Sequence, residues 1–242
     1  MKLFFCFLVT FLSLNLLPLE LQENSSKTSN SNKINQSFEL SQITLILNNQ
    51  NHDVITELTA PRLNADSSSE QLSILNPLLK VKEKNKSSKT IRASRGLYNR
   101  TSNLLEFEKN VQIKISSITQ NLLLDTNKLI LDNQDGSIIS PVDTYFQSND
   151  FHIHSKNLKI VNFLERQNKI IFENGIIINP DTNEELGSAN KIKFYLESDL
   201  LIMQGLAVIK QKAISIQADE IHYNPVLKKI IKSINSTIIN NS

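Results

Sequence analysis

Alternation of apolar and polar residues in the stretch 188–223 is the feature that most restricts the fold of this chain. Four short runs alternate in this way, at residues 192–196, 200–202, 206–208 and 214–216, and the last run continues to Tyr223. Successive side chains of a strand point to opposite faces, so each run has one apolar face. Polar residues and one glycine separate the runs, as in tight turns. The stretch predicts an antiparallel meander of short strands.

The same layout recurs along the chain. A small or polar residue opens a strand near residues 60, 93, 126, 156, 189 and 218. The spacing of roughly 30 residues lies in the range that marks a repetitive architecture. We therefore predict one repetitive all-β domain. The alternative is a set of unrelated hairpins in an ordinary β-sandwich.

The N-terminal part divides into two segments. In residues 1–21, Lys2 precedes a hydrophobic run from Leu3 to Leu19 that carries no charge, and no small residues of a cleavage site follow it, which favours an uncleaved membrane anchor over a signal peptide. Residues 22–37 are rich in Asn and Ser and predict a flexible tether. We expect the β domain, residues 38–242, to lie outside the cytoplasm. Cys6 is the single cysteine, so that domain has neither a disulfide nor a thiol nucleophile.

Asn and Asp are expected to replace glycine at the turns. The chain has only five glycines, and Asn and Asp tolerate a positive φ best among the other residues. Turns are predicted at residues 48–51, 133–136 and 179–181. The lysine-rich segment 82–89 is interpreted as a solvated hairpin tip.

Charge and motifs exclude several functions. The formal net charge is +2, without the basic stripe of a nucleic-acid-binding protein. His152 and His154 share a strand face but have no third ligand at a matching spacing, so we interpret them as solvent-facing residues beside a buried Phe151 and Ile153. No phosphate-binding loop or nucleophile elbow occurs. We predict a protein that is not an enzyme and has no metal, cofactor or nucleic-acid partner.

The apolar faces allow two interpretations. If the two halves of such a meander stay apart, the faces line a groove for alkyl chains, because hydrophobic attraction is non-directional and grows with buried area. If the halves close, the same residues pack against one another. The sequence leaves both open.

Several fragments together resemble the LptC/LptA (OstA-like) family of lipopolysaccharide-export proteins. They occur in order after the N-terminal apolar segment, at residues 57–62, 75–79, 91–98, 105–113, 122–129, 140–142, 203–209 and 216–223. The likeness covers nearly everything after residue 40 and is greatest to the membrane-anchored LptC type.

This resemblance implies a curved antiparallel β-jelly-roll of two facing sheets, preceded by one transmembrane helix. It implies that lipid A acyl chains of lipopolysaccharide are carried between the sheets. It also implies a single-pass inner-membrane protein with its C-terminal domain in the periplasm. The implied partners are the inner-membrane ABC transporter of the Lpt system and a soluble periplasmic OstA-like bridge protein, joined edge to edge by strand addition.

Two departures from the family pattern stand out. The C-terminal part carries additional units, which leaves open a soluble LptA-type bridge protein. Asn110 stands where the family commonly has glycine, and Asn can adopt the same conformation. A further alternative is an exported β-repeat structural or interaction protein that binds no lipid.

The candidate groove residues occupy alternating positions of the predicted strands: Phe107, Val111, Ile113, Phe151, Ile153, Phe172, Ile176, Phe194, Leu206 and Val208. A shift of one residue in register would exchange the two faces of each strand. The candidate partner edges are the first and last strands, with Ile43, Leu45, Leu47, Ile230, Ile234 and Ile238.

Overall fold

The computed structural model of the chain describes residues 37–48, 54–66, 70–83, 88–116, 121–164, 169–211 and 214–240. Every regular element in these ranges is a β-strand, which confirms the predicted all-β class. The described part contains no helix that is long and apolar enough to span a bilayer. The predicted anchor and nearly all of the predicted tether lie outside the described residues.

Eighteen strands follow one another in chain order. Their bounds are β1 Ser37–Asn48, β2 Val54–Asp66, β3 Gln71–Leu75, β4 Leu78–Glu83, β5 Ser88–Arg92, β6 Arg95–Asn99, β7 Leu104–Ser116, β8 Asn121–Asp132, β9 Ile138–Ser140, β10 Thr144–Gln147, β11 His152–Ser155, β12 Asn157–Val161, β13 Lys169–Ile178, β14 Glu185–Tyr195, β15 Leu200–Gln211, β16 Ile214–Asn224, β17 Lys229–Ile234 and β18 Thr237–Asn240.

All strands belong to one antiparallel sheet. Long strands such as β7 and β8 pair over their whole length, whereas pairs of short strands share one long neighbour: β10 and β9 both pair with β8, and β11 and β12 both pair with β13. The two facing sheets that the family resemblance implies are therefore two halves of a single sheet, joined by hydrogen bonds.

We call these halves the first and second walls, and the line where they join the corner. The first wall contains β4, β5, β10, β11 and β18, and the second contains β3, β6, β9, β12 and β17. Each long strand contributes to both walls; in β8, residues 121–126 pair on the first wall and residues 128–132 on the second. Chain turns at the far ends of the walls are called the tips.

The positions that face inward switch from even to odd residue numbers where β8 crosses the corner. In β8 the buried residues are Leu122 and Leu124 on the first wall, but Leu129 and Leu131 on the second. The strand therefore has one additional residue at the bend. β7 instead has two residues with positive φ, Lys109 and Asn110, at the bend, opposite a register shift in its pairing with β8. Such bulges bend a strand while its pairing continues on both sides.

A row of small side chains lines the first wall beside the corner. Ala207 and Ala218 are register partners, and both are buried. A Cβ atom on Gly175 would come within 2.8 Å of Cδ1 of Ile192, which belongs to the second wall. The small residues thus leave the space that larger side chains of the second wall fill. The row comprises Ala60, Ala93, Thr126, Thr144, Ser155, Gly175, Ala189, Ala207 and Ala218.

The sequence repeat has its physical origin in this row. The small residues near the six predicted repeat openings, such as Ala93, Ala189 and Ala218, are members of it. One repeat therefore corresponds to a passage of the chain from the first wall to the second and back.

Where the chain crosses the corner between β9 and β10, side-chain hydroxyl groups donate hydrogen bonds to backbone carbonyls. Thr126 Oγ1 lies 2.9 Å from Ser140 Oγ and donates to the carbonyl of Asp143 over 3.1 Å. Thr144 Oγ1 donates to the carbonyl of Val142 over 3.0 Å. Buried polar groups are costly unless they are paired, so these bonds stabilise the bend.

Asparagine takes the place of glycine at many bends, as the sequence predicts. The turns predicted at residues 133–136 and 179–181 are turns in the structure, whereas residues 49–51 of the remaining predicted turn lie outside the described residues. Asn76, Asn174 and Asn235 have positive φ at the corner, and so does Asn110. Other turn asparagines with positive φ, such as Asn103 and Asn183, lie at the tips. Leu206 is an exception, because a leucine rarely adopts φ of 50°.

The small row gives a direct stability prediction. Replacing Ala207 by leucine (Ala207→Leu) inserts a large side chain where no space remains, and overpacking of this kind costs about 1–3 kcal/mol. We expect that loss in the free energy of unfolding, measured by urea denaturation. The control Val208→Leu changes an outward-facing neighbour and should cost less than about 0.5 kcal/mol. Equal losses for the two variants would contradict the assignment of the row.

Candidate functional site: an apolar interior between two walls

Seven of the ten candidate groove residues face the space between the walls. Each is at most 2% exposed, and they come from β7, β11, β13, β14 and the turn before β11: Phe107, Val111, Ile113, Phe151, Ile153, Phe172 and Phe194. The interior is continuous with the other buried apolar residues of both walls. Whether these residues contact a lipid stays a prediction.

The other three candidates lie on the outer surface. Ile176 and Leu206 are exposed, and Val208 is half-exposed. Ile176 follows the bend at Asn174, so the inward positions change from Phe172 to Ile177. In β15 both faces are apolar, and the strand turns Ala207 and Ile209 inward, leaving Leu206 and Val208 on the opposite side.

Four phenylalanines join the two walls. Phe146 and Phe151 belong to the first wall and its tip, and Phe172 and Phe194 to the second. Ring centroids are 5.3 Å apart for Phe146 and Phe172, 5.8 Å for Phe146 and Phe194, and 5.2 Å for Phe151 and Phe194. These edge-to-face contacts show that the walls meet in the middle of the domain. Sequence reasoning missed Phe146, although Tyr145-Phe146-Gln147 has a polar-apolar alternation that could have indicated it.

The tips of the two walls also approach each other opposite the corner, along a line that we call the mouth. Burial raises the pKa of Asp199, at a tip of the second wall, and the negative charge of Asp150, at a tip of the first wall, raises it further. A recess of about 110 Å³ is lined by residues 179–181 of one tip and by Tyr223 and Pro225 of the other. The interior is therefore covered on this side.

Lys89 crosses the mouth. It is 1% exposed, although the sequence placed it in a solvated hairpin tip, and that interpretation is wrong for this residue. Its register partners Val81 and Ile115 face inward, so Lys89 does too. Its ammonium donates a hydrogen bond of 2.9 Å to the carbonyl of Phe163, in a tip of the second wall. Lys82 of the same segment is exposed, as predicted.

The apolar inner face is uncovered at the two ends of the sheet. Leu40 of β1 pairs with the buried Leu63, so it faces inward, yet it is 42% exposed. At the other end, Ile238 of β18 pairs with Ile216 on the inner face and is 65% exposed. The interior that is closed in the middle therefore continues to both end strands.

The end strands contain the candidate partner-edge residues. Among the described strands, β1 pairs only with β2, and β17 and β18 pair only with β16, so each has one edge without a described neighbour. Ile43 and Leu45 are half-buried on β1, and Leu47 is paired through its backbone with Thr56. On the last strands, Ile230 and Ile234 are half-buried and Ile238 is exposed. Partner binding at these edges stays a prediction.

The outer surface carries polar side chains beside exposed apolar ones such as Ile176 and Leu206. A recess of about 610 Å³ lies on the outside beside the corner and is lined by residues such as Arg92, Gln112, Asp125 and Tyr145. His154 is exposed, whereas His152 is half-buried with Nδ1 2.8 Å from the hydroxyl of Tyr145. In the described part of the chain, no three His, Cys, Asp or Glu side chains form a group that could hold a metal ion.

The geometry defines a class of protein: a sheet folded onto an apolar interior, with open edges at its two ends. A family model described as lipopolysaccharide-assembly, LptC-related, matches residues 3–171. The chain belongs to this LptC-related family, and membership supports a role in lipopolysaccharide transport. No curated protein matches the chain.

The phenylalanine cluster is expected to hold the walls together. Phe194→Ala removes a ring that contacts two others, and such a truncation in a packed core costs about 3–5 kcal/mol. The measurement is urea denaturation, with an unchanged slope as the check for two-state unfolding. Ile176→Ala on the outer surface serves as the control and should cost much less. A loss under about 1 kcal/mol for Phe194→Ala would show that the walls are not joined there.

Proposed function

We propose that this protein carries lipopolysaccharide by enclosing its acyl chains between the two walls, without catalysing a reaction. The observation that carries the proposal is the apolar inner face, which runs from the first strand to the last and is uncovered at both ends through Leu40 and Ile238. An interior with open ends can continue into a neighbouring protein. A core that only stabilises its own fold has no need for such ends.

The proposal includes a place in a bridge. Residues 1–21 anchor the protein in the inner membrane, and the folded domain stands in the periplasm. The ABC transporter of the Lpt system delivers lipopolysaccharide, and a soluble OstA-like protein accepts it. The family match begins at residue 3 and so includes the apolar N-terminal segment, which favours the anchored form over a soluble LptA-type protein.

Open sheet edges supply the contacts with these partners. A β-strand with a free edge presents unpaired N–H and C=O groups, which a strand of a neighbouring protein can extend. Exposed apolar residues next to the edges, such as Ile46 on β1 and Ile231 on β17, add apolar area to a joint of this kind. Strand addition at β1 and at β17 with β18 would place the inner faces of successive proteins in line.

One observation favours a second candidate function. Inward-facing residues such as Phe107, Phe172 and Ile192 are fully buried, as in an ordinary packed core. An exported β-repeat protein that binds partners but no lipid would have the same interior. The two candidates differ in whether the inner face meets lipid during transport.

Photo-crosslinking in cells separates these candidates. Each end strand offers an inward and an outward position side by side: Leu45 and Ile46 on β1, and Ile238 and Ile239 on β18. Leu45 pairs with the buried Leu58, and Ile238 pairs with Ile216 on the inner face. With a photoreactive phenylalanine analogue at these positions, we expect ATP-dependent lipopolysaccharide adducts at Leu45 and Ile238 and few at Ile46 and Ile239.

The comparison has clear opposing outcomes. Adducts of equal yield at inward and outward positions would contradict an enclosed path. A folded, exported protein without lipopolysaccharide adducts at any of the four positions would favour the second candidate. The matched pairs control for solvent access, since Ile46 and Ile239 are themselves exposed.

A further inference from the structure

Two buried apolar side chains of the interior come from a turn and not from a strand. Phe163 and Leu164 follow β12 at a tip of the second wall and are 0% and 6% exposed. Leu164 packs against Gly136 so closely that a Cβ atom there would lie 3.3 Å from its Cβ and Cγ atoms. The turn thus folds back over the mouth and fills space between the walls.

Lys89 holds this turn from the opposite wall. Its ammonium donates to the carbonyl of Phe163 over 2.9 Å and lies 5.7 Å from the centroid of the Phe163 ring. Among the described residues, Lys89 is the one Lys, Arg, Asp or Glu in the buried set. A buried ammonium is costly unless it is paired, so its contact with the turn is specific to the closed arrangement.

The turn can move at lower cost than the buried phenylalanines that lie in strands. Phe146, Phe172 and Phe194 lie in strands that are hydrogen-bonded to neighbours on both sides. Phe163 instead lies outside the ladder, where its N–H donates to the carbonyl of Gly136 over 3.0 Å. The preceding Asn162 has φ of 58°, a conformation that allows a sharp change of direction. Segments with few ladder bonds open most easily.

We infer that Phe163 and Leu164 occupy the position of an acyl chain in the unloaded protein and are displaced from it when lipid enters through the mouth. This inference rests on the proposed function, because the occupant is an acyl chain of the carried lipid. An apolar chain replaces an apolar turn, so the interior never exposes a cavity to water. The Lys89 contact sets how readily the turn leaves.

Tryptophan fluorescence reports this displacement directly. The chain contains no tryptophan, so Phe163→Trp introduces a single emitter at the turn. The full chain is purified in a sterol-based detergent, which supplies no straight alkyl chain, and titrated with purified lipopolysaccharide. We expect the emission to shift to the red and iodide quenching to rise several-fold when lipid binds. Phe194→Trp, in a strand, is the matched control and should stay protected.

Two further variants keep the test independent of one substitution. Leu164→Trp should respond as Phe163→Trp does, in case the larger ring at position 163 disturbs the fold. Lys89→Ala in the Phe163→Trp background removes both the hydrogen bond to the Phe163 carbonyl and the side chain that packs against the turn. It should raise quenching several-fold even without lipid.

The outcomes distinguish this inference from the proposed function. Lipopolysaccharide that co-elutes with the protein while tryptophans at 163 and 164 remain protected would overturn the displacement and leave the proposed function standing. Failure of lipopolysaccharide to co-elute with the folded protein would overturn the proposed function and this inference with it. Co-elution with exposure of both tryptophans is the result that supports the inference.

Discussion

Backbone hydrogen bonding that continues through the corner is the constraint on which the rest of the structure depends. Each long strand must pair with its neighbours on both walls and bend between them, as β8 does around residue 127. The bend needs an additional residue or a positive φ, and asparagine supplies many of these. The small row beside the bend follows, since side chains of both walls converge there. Glycine at 175 and alanine at 207 and 218 make room for residues such as Ile192.

The same constraint explains what could be predicted from the sequence. Alternation within each half-strand, the repeat near 30 residues and the asparagine turns are local features, and the structure bears them out. Inward orientation across a bend is not local. A rule of strict alternation places Ile176 on the face of Phe172, because it does not register the bend at Asn174. In β15 both faces are apolar, so no local pattern could select Ala207 over Leu206.

Lys89 and Phe163 could not be predicted for a different reason. Lysine in a polar, lysine-rich segment is usually solvated, and a phenylalanine beside a turn has no periodic pattern to place it. Their burial arises from the meeting of two tips that are far apart in sequence. Contacts of this kind form only if the two walls close on each other, and alternation of apolar and polar residues does not show whether they do.

Closed walls in the middle and open ends at the first and last strands are the two features on which the proposed transport of acyl chains rests. The interior is packed by phenylalanine rings in the middle, whereas its apolar face is exposed at β1 and β18. Membership in the LptC-related family supports lipopolysaccharide as the transported substance. In the proposed function the walls separate at the mouth, because backbone hydrogen bonds join them on the opposite side, at the corner.

Methyl NMR with a spin-labelled lipid tests the central claim most directly. The isoleucine δ1 methyl groups are labelled, and lipopolysaccharide carries a nitroxide near the end of one acyl chain. The account predicts that signals of inward-facing residues such as Ile113, Ile153 and Ile192 are broadened more strongly than those of the outward-facing Ile139 and Ile176. Broadening of Ile139 and Ile176 with intact signals from the interior would show that the acyl chains bind outside, and would contradict the account.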